Sequence, residues 1–303
     1  MTDRFDQVLG AYLGLAIGDA LGATVEFMRP REIALQYGVH RDIVGGGWLK
    51  LARGQVTDDT TMCLALGDAL LKSGPTGLQN FVAHGDETLV RGIAEAYVGW
   101  WRGKPVDCGN TCRRGILRFL RDGSLSGPYN DGDGGNGAAM RVSPVAWAFD
   151  DLESVLEHAT LSARPSHAHP EGIKGAQAVA AAIWTARKTR NPAAVRAVAE
   201  NFYGSLPDLA EIRKSHSYNE TCQGCVPECL AIAIGTPDFE SAVRFAASVR
   251  GDADTLAAIT GSISQALWGV PRAIREQSLA IAARCYPGME RTVAEFEAKF
   301  GGY

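Results

Sequence analysis

Apolar residues recur at three- and four-residue steps along almost the whole chain. Val8, Leu9, Tyr12, Leu13, Ala16 and Ile17 share one helical face, and Leu64, Leu66, Ala69 and Leu70 share another. Runs of the same period follow near 86–102, 111–121, 138–149, 170–188, 192–203, 225–234, 238–249, 254–268, 272–285 and 290–300. Alternating runs of Val, Ile, Thr and aromatic residues, which would signal strands, are missing. The pattern predicts an all-α fold. Gly, Pro and small polar residues mark loops at 44–54, 123–137, 164–172 and 214–224. None of these is long or polar enough to serve as an interdomain linker, and no fixed-period repeat or low-complexity tract occurs. The expected architecture is a single-domain compact helical bundle over residues 1–303, with binding residues gathered in its long loops.

Composition narrows the partners. Hydrophobic residues make up 46% and charged residues 21%, as in ordinary soluble globular proteins. Thirty Lys and Arg against 34 Asp and Glu give a formal net charge of −4, with no basic excess to hold a nucleic-acid backbone. The N-terminal MTDRFDQVLG lacks a basic stretch followed by an apolar region. No window reaches the ~18 apolar residues of a spanning helix, so a cytoplasmic protein without membrane insertion is expected. Seven cysteines without a signal peptide argue for free thiols in a reducing compartment. Cys222, Cys225 and Cys229 begin like a zinc motif, but a structural zinc site wants four ligands, and Cys285, the nearest further cysteine, has no paired neighbour. Ordinary thiols are the expectation.

Candidate chemistry centres on two acidic helix starts. In GQVTDDTTM, Thr57, Asp58 and Asp59 precede an apolar run; in RGDADTLAAITG, Asp252, Asp254 and Thr255 do the same. A helix N-terminus is satisfied by one side-chain acceptor, so each site has acid to spare. Either the two motifs cap independently, or neighbouring helices aim them at one point. In the second case four aspartates need a cation, and an all-oxygen donor set suits Mg²⁺ or Mn²⁺. The loop YNDGDGGNGAAMR is rich in glycine and leads into a helix expected at Ala138, a local layout that favours an anion. It fits neither a Walker loop nor a dinucleotide fingerprint, and counting from Asp131 puts Val142 where an EF-hand needs Glu. Asp19 and Glu26 interrupt an apolar segment: either Asp19 bonds a loop and Glu26 is solvated, or both are functional acids. Asp107 and Asn110 stand at a further helix start, where capping is the simple reading. His167 and His169 lie in a proline-bounded loop, where a surface position is expected.

Taken together, GLAIGDALGATVEF, VTDDTTM, DCGNTCRRG, GNGAAMR, SHAHPEGIKGAQAVAAAIW and GDADTLAAITG resemble, in order and spacing, the ADP-ribosylglycohydrolases. The match runs from about residue 8 to about residue 270. The resemblance implies an all-α, single-domain hydrolase with two Mg²⁺ or Mn²⁺ ions at the base of a cleft, removing ADP-ribose from a modified target. Carried over by motif, Thr57, Asp58, Asp59, Asp252, Asp254 and Thr255 would be metal ligands. Gly135, Asn136 and Gly137 would hold the diphosphate, and His167 would sit at the substrate rim. Glu26 would line the cleft near the scissile bond, Asp107 would face the leaving group, and Glu26, Asp59 or Asp107 would move protons. QYGVHRDIVGGGWLKLARGQVTDDT is similar to members that favour arginine-linked ADP-ribose on protein. Beyond residue 138 the chain resembles broader bacterial members. Arg250 and Cys112 depart from the common Gly and Thr, which bears on the target rather than the metal site. Rival expectations are an O-linked substrate, ADP-ribosyl-serine or O-acetyl-ADP-ribose, and a non-catalytic ADP-ribose-binding or structural protein.

Overall fold

A computed structural model describes residues 11–79, 87–130, 134–276 and 289–300. Val8 and Leu9, Asp131 to Asp133 of the glycine loop, and the end of the 272–285 run with Cys285 lie outside the described residues.

The described elements run α1 (Leu13–Gly22), α2 (Pro30–Tyr37), α3 (Asp58–Gln79), α4 (Glu87–Arg102) and α5 (Asn110–Asp122), then a 3₁₀ turn (Asn136–Ala138) and α6 (Ser143–Ala148). They continue as α7 (Leu152–Ala163), α8 (Pro170–Thr189), α9 (Pro192–Tyr203), α10 (Leu209–Ser215), α11 (Cys222–Gly235), α12 (Phe239–Ala247), α13 (Ala253–Trp268) and α14 (Met289–Phe300). Strand-like pairing among the described residues is limited to the isolated bridges Gly46–Leu51 and Gly135–Thr221, so the fold is all-α. No helix among them is long and apolar enough to cross a membrane.

Three helices lie outside the expected apolar runs, and polar or proline positions mark their starts. Pro30 opens α2, where Glu32 accepts from the Arg29 N–H at 2.6 Å. Asp151 caps α7 through Ser154 N, and Asp208 caps α10 through Glu211 N, each at 2.7 Å. The run expected over 138–149 is not one helix. It divides into the 3₁₀ turn and α6, whose Pro144 lies in the first turn because proline has no N–H to continue an earlier helix.

Helix α13 is the axis of the molecule, buried from Ala253 to Leu267. It packs antiparallel on α1 through Gly14, Gly18 and Gly22, one turn apart. A Cβ on Gly18 would stand 2.0 Å from the Ala257 carbonyl oxygen, and one on Gly22 2.2 Å from that of Ala253. Only a face without side chains lets the two backbones approach this closely. The contact sets the start of α13, with its aspartates, beside the end of α1, where Asp19 sits. A continuous apolar core then extends from Ala11 to Phe300.

Candidate active site

The first acidic motif is freed for chemistry by a residue on another helix. Asp19 accepts from Thr57 N at 3.0 and 3.1 Å, Thr57 Oγ1 at 3.0 Å, Thr60 N at 3.1 Å and Thr60 Oγ1 at 2.6 Å. It therefore caps α3 from outside, satisfying the amides that Asp58 or Asp59 would otherwise serve. Burial pushes the Asp19 carboxyl up to about 6, with these four donors pulling the other way.

Asp58 and Asp59 turn elsewhere. Asp58 Oδ2 accepts from Gly109 N at 3.1 Å. Asp59 Oδ2 receives the hydroxyls of Thr57 at 3.2 Å and Thr255 at 3.3 Å, tying the start of α3 to the start of α13, while its Oδ1 is buried with no partner. Asp252 stands at the N-cap position of α13, yet its side chain makes no capping bond. It accepts instead from Asn136 Nδ2 at 2.6 Å. Glu26 is 8% exposed, so it lines the site rather than facing solvent, and its Oε2 accepts the indole N–H of Trp48. Glu26, Asp252 and Asp254 each bring a carboxylate oxygen within 4.8 Å of the others, a group able to hold a metal ion.

This concentration of acid is uncompensated. Burial first, then Trp48 and the charges of Asp252, Asp107 and Asp58, set Glu26 at about 8. Burial and Asp107 raise Asp58 to about 7. Asp59 and Asp254 are driven well above the usual carboxylate range by burial and by their acidic neighbours. Such a cluster must hold protons or a cation. The orphaned Asp59 Oδ1 and the all-oxygen donor set fit a hard divalent ion.

Two further segments close the site. Asp107, half-buried before α5, accepts from Cys108 N at 2.7 Å and bears electrostatically on Glu26, Asp58 and Asp252. Neither it nor Asn110 caps α5, whose N-cap is Gly109 without a side-chain bond. The Gly135–Gly137 segment is pinned through Asn136 N to Glu220 O at 2.8 Å and through Cys222 N to Gly134 O at 2.9 Å. Asn136 Nδ2 also reaches Cys225 Sγ at 3.5 Å, and Cys222 Sγ contacts Gly135 O at 3.3 Å. Cys222, Cys225 and Cys229 are buried free thiols; the first two support this loop, and Cys229 Sγ reaches Leu256 O on α13 at 3.6 Å.

His167 departs from expectation. It is 1% exposed and lies behind the glycine loop rather than at its rim, with a Cβ on Gly137 meeting its Cε1 at 2.8 Å. The α7 C-terminus continues inward, since Ser166 N and His167 N both bond Ala163 O, and Ser166 Oγ pairs with Nδ1 at 2.9 Å. Burial, then Arg141 and Arg114, push the imidazole well below its ordinary value. Arg141 itself was not marked by the sequence reading. It is fully buried, donates to Tyr97 Oη at 2.8 Å, Ser166 Oγ at 2.6 Å and Gly137 O, and lies 4.5 Å over the Tyr97 ring. A charged residue inside the apolar run AAMRVSPVAWA was the available signal.

A family model described as ADP-ribosylglycohydrolase matches residues 1–298. The chain is 39% identical over 266 residues to the ADP-ribosyl-[dinitrogen reductase] glycohydrolase of Rhodospirillum rubrum, covering 88% of this chain and 86% of that protein. It is 30% identical over 282 residues to an ADP-ribosylarginine hydrolase of Pseudomonas putida, covering 88% of this chain and 71% of that protein. Among solved structures, an ADP-ribosylglycohydrolase-related protein superposes with a TM-score of 0.75 at 26% identity, over 99% of both chains.

Proposed function

The chain belongs to the ADP-ribosylglycohydrolase family, and on that premise we propose that it is a metal-dependent hydrolase that removes ADP-ribose from modified arginine on a protein. The observation that carries the reading is the buried acid cluster in which Glu26, Asp252 and Asp254 meet, Asp59 is tied to Thr255, Asp58 bears on Asp252, and Asp59 Oδ1 has no donor. The names of the Rhodospirillum and Pseudomonas relatives support arginine as the linkage. We take residues 1–303 to act as one domain in the cytoplasm.

In this reading Thr57, Asp58, Asp59, Asp252, Asp254 and Thr255 hold two divalent cations, Mg²⁺ or Mn²⁺. When bound, such ions supply Lewis acidity and orient the ribose hydroxyls and a water. The protein's own groups do the rest. Glu26, whose carboxyl is raised in the cation-free protein by burial and by the neighbouring Asp252, Asp107 and Asp58, is placed to carry a proton and return it, as cleavage of a glycosidic bond requires. Asp107, at the edge of the cluster, faces the leaving group, and Asp59 stands beside the α13 hydroxyl as a further proton acceptor. Gly135 and Gly137 let the diphosphate approach the backbone, Asn136 fixes their distance from Asp252, and His167 supports the loop from behind.

A panel of arginine-linked, serine-linked and O-acetyl ADP-ribose substrates, each with Mg²⁺, Mn²⁺ or chelator, tests the proposal. Cation-dependent release from the arginine linkage is expected. Release from the serine or acetyl ester alone overturns the assignment. Tight ADP-ribose binding with no turnover on any linkage would make the chain a binding module.

A further inference from the structure

Glu26 has a problem of placement. Asp252 and Asp254 lie within 4.8 Å of its carboxylate, and a charged group so placed is favoured to swing outward to water. The donor that opposes this is Trp48 Nε1, from a side chain that is itself 52% exposed. The loop carrying Trp48 is built to fix it. Gly45, Gly46 and Gly47 have φ of 78°, 102° and 68°, a bridge joins Gly46 to Leu51, and a Cβ on Gly47 would stand 2.5 Å from Ala23 O. The loop is thereby seated on the end of α1, from which Glu26 emerges.

Phe27 braces the other side. Its φ is 64°, a left-handed conformation that costs a residue with a Cβ about 1–2 kcal/mol. Its N–H donates to Gly251 O at 2.9 Å, its ring meets Trp48 edge-on at 5.5 Å, and its far side packs on Tyr218 at 5.4 Å. The Phe27 side chain is 49% exposed, so core burial does not account for the strain. What the conformation secures is a fixed indole beside Glu26.

We infer that Trp48 is a positioning residue: its indole N–H holds the Glu26 carboxylate inside the acid cluster, and the strained Phe27 holds the indole. The inference rests on the cluster being the catalytic centre proposed above. It assigns to an exposed aromatic on a glycine loop the task of keeping a carboxylate available to a divalent cation and to the scissile bond.

Trp48→Phe keeps the ring packing and deletes the donor, and at a half-exposed position it leaves folding intact. Mn²⁺ titration of the full chain by calorimetry is expected to show affinity falling about 10- to 100-fold, the range for loss of a partner that orients a metal-site carboxylate. With ADP-ribosyl-arginine, kcat is expected to fall by a similar factor while KM changes less than about twofold. Trp48→His, which keeps a ring N–H, should recover part of both losses. In a Glu26→Ala background, which removes the acceptor, Trp48→Phe should change Mn²⁺ affinity no further, because its route of action has gone. Unchanged Mn²⁺ affinity and kcat in Trp48→Phe overturn the inference, as does an equal loss of Mn²⁺ affinity in the Glu26→Ala background. A change confined to KM also overturns it, making Trp48 a substrate contact. Absence of release by the unsubstituted chain on every linkage defeats the proposed activity alone, since the Mn²⁺ titration still reads the positioning.

Discussion

Two buried charged regions meet across the Gly135–Gly137 loop and are built on opposite terms. On one side Arg141 is enclosed, and its guanidinium delivers hydrogen bonds to Tyr97, Ser166 and Gly137 while lying over an aromatic face. On the other, Glu26, Asp58, Asp59, Asp252 and Asp254 crowd together with few donors, and Asp59 Oδ1 has none. A buried charge whose partners are supplied by the fold serves the fold; a surplus of one sign that the fold does not neutralise implies something brought from outside. The same contrast separates Asp19 from Asp59 within one hydrogen-bonded group. Asp19 receives four donors and caps α3, whereas Asp59 faces α13 with an oxygen to spare.

The comparison can be broken most forcefully at Arg141. Arg141→Met leaves Gly137 O without this donor and removes a donor from each of the Tyr97 and Ser166 hydroxyls, three charge-assisted hydrogen bonds in the interior, and urea unfolding should show a loss of about 3–5 kcal/mol. Asp254→Asn should act oppositely: ADP-ribose release with saturating Mn²⁺ falls at least ~100-fold, about 3 kcal/mol in barrier, while cation-free stability does not fall. Near-wild-type turnover of that variant would sink the metal assignment. Asp19→Ala should cost about 1–3 kcal/mol of stability, because Thr57 N and Thr60 N lose their acceptor, and calorimetric unfolding measures it.

pH sharpens the contrast further. Asp58 is raised from 3.8 to about 7 and Glu26 from 4.5 to about 8, so the folded cation-free protein retains protons that the unfolded chain releases. Its stability should therefore decline by several kcal/mol as pH rises through roughly 4 to 8, lowering the unfolding temperature by on the order of 10 °C. Added Mn²⁺ takes the place of those protons, so its stabilising effect should grow over the same window. A cation-free stability that rises with pH there would show that the cluster is neutralised by the protein itself.

Much of this was legible along the chain. The 3.6-residue period marks most helices, and two acids at each of two helix starts exceed what capping consumes, one acceptor per end. Helices α2 and α10 leave no apolar stripe along the chain, each burying one residue, Ile33 and Ile212, whereas α7 buries Val155, Ala159 and Ala163 at helical spacing and was present in the sequence pattern. The prolines flanking His167 suggest an exposed loop, whereas the continuation of α7 turns that histidine inward.

The sequence by itself determined the element type, the family pattern and the inventory of acids, because local period and motif spacing are properties of neighbours along the chain. Only the tertiary structure decided which acid caps and which remains available. That choice depends on Gly14, Gly18 and Gly22 letting α1 lie against α13, which carries Asp19 to Thr57 and Thr60 and leaves Asp58 and Asp59 facing Asp252 and Asp254. Hydrogen-bond donors from distant segments settle the role of each carboxylate, and no local pattern records where those donors will arrive.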